Sequence, residues 1–159
     1  MRHWRPAQPL QRLVWDDAAV FGPKATWGNW RDAPNVTPAI ALTLEQAEAV
    51  VRYRLQAFGK GPDRYGLIHA DMRLTNLLID AKTTRLIYFD DCGLGWHLYD
   101  FAAGISFIKD HPQIPALRAA WLRGTRCVRV ISATDEAEIE TFIMLRRLAL
   151  LASHCPARA

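Results

Sequence analysis

Residues 69–76 read HADMRLTN, and residues 86–93 read LIYFDDCG. His69, Asp71 and Asn76 stand at the H-x-D-x-x-x-x-N spacing of loops that carry out phosphoryl transfer. The spacing has a physical logic. One short loop presents a carboxylate to the hydroxyl being activated and, five residues on, an amide oxygen to a hard cation. His69 closes an apolar segment, GLIH (66–69), and is placed to buttress the loop through hydrogen bonds. The plain alternative makes His69 and Asp71 ordinary loop residues and Asn76 the start of a strand. The strand before the loop and the hairpin pattern behind it favour the chemical reading.

The elements that must hold this loop follow from pattern. NLLID (76–80) and RLIYF (85–89), separated by AKTT, read as a β-hairpin. A helix is expected over Leu44–Phe58: Thr43 and Gln46 have capping-box spacing, apolar residues recur every three or four positions, and Gly59 stops it. After Gly93 and Gly95 the chain is expected to turn helical, with Asp100 capping Phe101–Ile108. Further helices are expected over Pro115–Leu122 and, capped by Thr134, over Asp135–Ala152. Residues 1–40 are rich in Trp and Pro, which leaves room only for short turns such as Asp16–Phe21. Their tryptophans either pack on this chain's own core or anchor an arm on a partner, the first being favoured. The order is α+β, with helix dominating. The expected division is an arm and connecting segment over 1–40 and a main domain over 41–159.

Composition narrows the classes. A chain of 159 residues, half of them apolar, supports one globular domain. No apolar run approaches the roughly 20 residues that span a bilayer, and the basic N-terminus lacks a signal-peptide pattern. Three widely spaced cysteines, Cys92, Cys127 and Cys155, suggest neither a disulfide framework nor a zinc site. A cytoplasmic location is expected, with no membrane partner. The net charge of +4 comes from scattered arginines without an aromatic platform, so no nucleic-acid partner is expected.

GLIHADMRLTNLLID followed by LIYFDDCGLGWHLYDFA resembles the aminoglycoside phosphotransferase and choline kinase-like family, small-molecule kinases with a protein-kinase-like fold. WGNWRDAP and FGKGPDRYGLIHAD resemble one bacterial branch of it, so the likeness covers roughly residues 10–152. The resemblance implies an ATP- and Mg²⁺-dependent transfer to a small-molecule hydroxyl. Asp71 would be the catalytic base supported by His69, Asn76 a metal ligand, and Asp100 the aspartate that braces the loop.

Two departures stand against that pattern. Relatives carry an aspartate, the second metal ligand, where this chain has Tyr88, and a phenol is a poor ligand for Mg²⁺. On a regular strand Asp90 shares the face of residue 88 but lies about 6 to 7 Å further along, so a bulge would be needed for it to serve as the metal ligand. Asp91 would face the other way. Upstream of His69, Lys24 and Lys60 lie on no apolar strand, and no glycine-rich loop precedes them. The expectation is a C-terminal lobe of a kinase-like fold, truncated at its C-terminus and without its ATP-binding N-terminal lobe, which a separate polypeptide could supply. Such a lobe would be incomplete or inactive alone. The alternatives are a degenerate pseudokinase or binding module, and a metal-dependent phosphate hydrolase built on His69, Asp71, Asp90 and Asp91. Arg146 and Arg147 are expected on a solvated helix face or in a salt bridge. His97 and Tyr99 are expected to pack in a loop, with a substrate pocket as the alternative. Cys92, beside two aspartates, is not expected to be a nucleophile.

Overall fold

The computed structural model describes residues 12–153. Its first elements are a short strand β1 (Leu13–Trp15) and a helical turn α1 (Asp17–Phe21), capped by the Asp16 carboxylate on the Ala19 amide. A long helix α2 (Pro38–Phe58) follows. It begins six residues before the expected start. Thr37, not Thr43, is the cap, because Pro38 suits the first helical position and the ALTL run continues the helix.

Next come β2 (Tyr65–Ile68), the hairpin β3 (Leu77–Ile79) and β4 (Thr84–Leu86), and β5 (Gly93–Trp96). The helices α3 (Tyr99–Gly104), α4 (Ile114–Arg126), α5 (Ala133–Ala137) and α6 (Ile139–Ser153) close the described chain. The expected mixed architecture, with helix predominating, is present. The expected single C-terminal helix is two. Ser132 and Asp135 form a reciprocal capping box, so the helix starts there rather than after Thr134, and the chain breaks at Glu138 before α6.

Two strands were invisible to the pattern reading. Instead of turning helical, Gly93–Trp96 is the middle strand of a three-stranded sheet, parallel to β1 and antiparallel to β2. Its glycines let the neighbours approach. A Cβ on Gly93 would strike the Leu13 carbonyl oxygen, and one on Gly95 would strike the Ile68 side chain. Trp15, Trp30, Trp96, Tyr99, Ile139, Phe142, Leu145 and Leu148 are almost wholly buried, so Trp15 and Trp30 pack on the core shared by α2, α3 and α6. Trp4 lies outside the described residues.

The β1–β5 contact fastens the N-terminal segment to the loop that precedes β5. Gly93→Ala forces overpacking against backbone, which cannot rotate away. We expect a destabilisation of about 2 kcal/mol or more, read as a lowered urea midpoint with unchanged slope.

Candidate active site

Three short-range devices set the shape of the HAD loop. His69 presents Nδ1 to the Asp71 amide at 3.2 Å, so that nitrogen is an acceptor and Nε2–H donates to the Ile87 carbonyl at 3.0 Å. Both ring nitrogens are thus committed to backbone, and the ring, 4.8 Å from that of Phe89, ties the loop to the far end of the hairpin. Ala70 takes a left-handed conformation, φ 64°. That turn aims the amides of His69 and Ala70 at the Asp100 carboxylate, at 3.3 and 2.7 Å. Asp100 therefore does not cap α3 as an N-terminal residue. It lies in the first turn of α3 and spends its oxygens on the loop. Burial pushes its pKa up to about 6 against the pull of those two amides.

Asp71 and Asn76 converge. The Asn76 amide nitrogen donates to Asp71 Oδ2 at 2.7 Å and to the Asp71 carbonyl at 2.8 Å. Arg73 wraps the same carboxylate, with Nη2 at 2.8 Å from Oδ2 and Nε at 2.8 Å from Oδ1. The third neighbour is Arg146 of α6, whose Nη2 lies 3.3 Å from Oδ1. Of the two expectations for this arginine, the salt bridge holds and the solvated face does not. It is 3 % exposed in its side chain, donates to Tyr99 and Ser106 as well, and lies over the rings of Trp27 and Tyr99 at 4.7 and 5.7 Å. The signal available was its place one residue after Leu145 on the apolar face of α6. Tyr99 is fully buried between Trp15 and Arg146, and His97 is held elsewhere, its amide donating to the Arg64 carbonyl.

The LIYFDDCG stretch departs from expectation. The strand stops at Leu86, because Tyr88 is left-handed, φ 60°, and residues 87–92 form a loop. The argument from strand faces therefore does not apply. Tyr88 is 65 % exposed. Asp90 is exposed, while Asp91 is partly buried, and burial together with the nearby Asp71 charge raises its pKa. Arg12 pins this loop, donating from Nη2 to the carbonyls of Phe89 and Asp90 and from Nε to that of Cys92, and Trp15 donates to the Asp91 carbonyl at 2.7 Å. Burial pushes the Cys92 thiol up, which is wrong for a nucleophile.

The carboxylate that a second magnesium ligand would supply is missing at position 88. Among the described residues no three His, Cys, Asp or Glu side chains converge. Asn76 gives its nitrogen to Asp71, which leaves its side-chain oxygen uncommitted there, while position 88 carries a phenol in place of a carboxylate.

Two measurements test this geometry. Tyrosine at positive φ costs about 1 kcal/mol or more, and asparagine tolerates that region. Tyr88→Asn, which loses little packing, is expected to raise stability by up to about 1 kcal/mol in urea unfolding. For Asp100 the folded pKa lies above its ordinary value of 3.8, so the folded state holds the proton more tightly than the unfolded one. Its contribution to stability is then greatest at low pH and falls as pH rises from about 4 through 6. Relative to Asp100→Asn, the native chain is expected to lose stability across that window.

Known proteins share this chain's family and fold. The phosphotransferase enzyme family profile matches residues 6–139. A microcompartment-associated aminopropanol kinase of known structure is 40 % identical, with a TM-score of 0.89 over 99 % of this chain and 50 % of that one. An amicoumacin kinase, solved with AMP-PNP, Ca²⁺ and Ami, has the same fold at 20 % identity and a TM-score of 0.73, over 99 % of this chain and 48 % of its own. The chain thus spans about half the length of the solved structures it matches. No functionally curated protein matches it. With its family profile, its fold and its HxDxxxxN loop in accord, the chain belongs to the phosphotransferase enzyme family.

Proposed function

We propose that this chain is the catalytic lobe of an ATP-dependent kinase that phosphorylates a hydroxyl of a small molecule. The observation that carries the reading is the convergence of Asp71 and Asn76, 2.7 Å apart, on a loop braced by His69 and Asp100. In the reaction the substrate oxygen attacks the γ-phosphorus, its proton passes to Asp71, and the bond to the ADP oxygen breaks. His69 and Asp100 hold the loop; Asn76 orients the carboxylate. Residues 41–159 would form the lobe and 1–40 the segment joining it to a nucleotide-binding half. The solved kinases are about twice the length of this chain, which leaves room for such a half. A small amino alcohol is the first acceptor to try, given the likeness to an aminopropanol kinase.

A second reading has its own support. Tyr88 occupies the place of a metal carboxylate, and the Asp71 carboxylate is covered by Arg73 and Arg146, as in a degenerate lobe that binds without turning over. The chain is expected to bind ATP weakly in calorimetric titration, since Lys60 is engaged with Asp16 at 2.7 Å and Lys24 lies on no strand. The deciding experiment joins the chain to the nucleotide-binding half of the aminopropanol kinase and measures ATP turnover on a panel of amino alcohols, with and without Tyr88→Asp. Turnover in both proteins, lost about 10²- to 10⁴-fold in Asp71→Asn, upholds an active lobe. Turnover confined to Tyr88→Asp assigns the native chain to the degenerate class. Absence of turnover in both defeats the kinase reading.

A further inference from the structure

A general base needs a lone pair that a hydroxyl can reach, and at Asp71 the one left without a hydrogen bond, on Oδ1, is covered by the Arg73 guanidinium. The Asp71 side chain is 11 % exposed, Oδ2 receives Asn76 and Arg73, and Oδ1 faces Arg73 and Arg146. For a hydroxyl to reach this carboxylate, one of the three donors must leave. Asn76 is buried at 4 %, and its amide is also bound to the Asp71 carbonyl. Arg146 is held by Tyr99, Ser106 and two aromatic rings. Arg73 differs from both. Its side chain is 39 % exposed, and among the described residues it has, beyond Asp71, the Phe107 ring at 5.2 Å, a ring that is itself 62 % exposed, and the more distant charge of Asp91.

The clasp is also imperfect. Arg73 Nε is shut away from solvent and lies close to Oδ1, yet its hydrogen is not aligned on any acceptor. A buried guanidinium N–H without an acceptor is an unusual state for so strong a donor. Once the side chain swings off Asp71, its planar fork is free beside the base, and that fork matches the oxygens of a phosphoryl group.

The geometry points to Arg73 as a latch: in the free chain it closes on Asp71, and a phosphoryl-bearing ligand draws it away, exposing the base and binding the anion in one movement. Asp71 and the ligand compete for the same guanidinium. This inference rests on the reading of Asp71 as the base, but its anion-binding half stands without catalysis. Exchange of partners replaces one charge-assisted pair by another, so only the difference in affinity has to be supplied by the ligand.

The test uses the full chain and tripolyphosphate without added metal, with binding followed by NMR of the arginine Nε–Hε resonances. The Arg73 resonance is expected to move with the titration. Arg73→Gln should weaken binding about tenfold, and Arg73→Lys by less, since the charge remains without the fork. Asp71→Asn should strengthen binding several-fold by removing the competitor. Asp71→Asn leaves Arg146 facing an amide, so its folding is checked by circular dichroism. Should it not fold, the Arg73 pair and the native titration decide. An Arg73 resonance that stays still at saturation, equal affinity in Arg73→Gln, undetectable binding by the native chain, or unchanged or weaker binding by folded Asp71→Asn overturns the latch. Each of these results is independent of ATP turnover in the joined protein, so the latch and the kinase reading fail separately.

Discussion

The buried pair of Arg146 and Asp71 is the joint on which the site depends. A guanidinium at 3 % exposure needs a carboxylate and several acceptors near it, and each of its partners comes from a different element. Asp71 brings the HAD loop, Tyr99 and Ser106 bring α3 and the turn after it, and Trp27 brings the segment between α1 and α2. Removing one member of such a pair strands an unpaired buried charge, a cost of about 3 to 5 kcal/mol, so the loop cannot easily move away from α6. The tryptophan-rich N-terminal segment thereby becomes part of the site without any chemistry of its own. Trp27 lies against the arginine and Trp15 against Tyr99, so the aromatic packing and the ion pair restrain the same atoms.

A second layer works through backbone groups. His69 bridges the loop to Ile87, Asp100 receives two loop amides, and Arg12 gathers three carbonyls of residues 89–92. Each pairs a charged or ring group with main chain, so the conformation survives changes in side chains that point outward. Tyr88 is such a change. Its backbone keeps a left-handed turn that suits Asp, Asn or Gly, while its ring lies mostly in solvent. The loop's shape is fixed by neighbours on either side rather than by the residue that chemistry would place at 88.

What the sequence disclosed divides along the same line. The HxDxxxxN spacing is local, and a loop of that length brings Asp71 and Asn76 together with little help, so it was legible. The hairpin and the position of α1 were legible for the same reason: short range, alternating residues and turn-forming punctuation. β1 and β5 were hidden. GLGW looks like a flexible turn, and only the long-range approach of Leu13 and Ile68 to its glycines makes it a strand. For Arg146 a solvated face or a salt bridge was expected, because an arginine on a helix is usually exposed, and neither expectation carried its burial or its partner. Nothing within α6 announces that an aspartate 75 residues away will lie against it. The reading of RLIYF as one continuous strand failed on a single dihedral that apolar character cannot encode.

Those misreadings bear on function in one direction. If residues 88–90 had been strand, Asp90 would share the face of residue 88 but lie about 6 to 7 Å further along, so that only a bulge would bring it to the place of the missing carboxylate. In the loop that forms instead, Asp90 is exposed, and it is Asp91 whose charge is felt by Asp71 and Arg146. Asp91 is also disfavoured as an anion there, by its own burial and then by Asp71. Three carboxylates and two arginines therefore share one region in which added positive charge would relieve Asp91, while an added anion would relieve Arg73. A phosphoryl ligand accompanied by a cation meets both demands together; either alone meets one and aggravates the other.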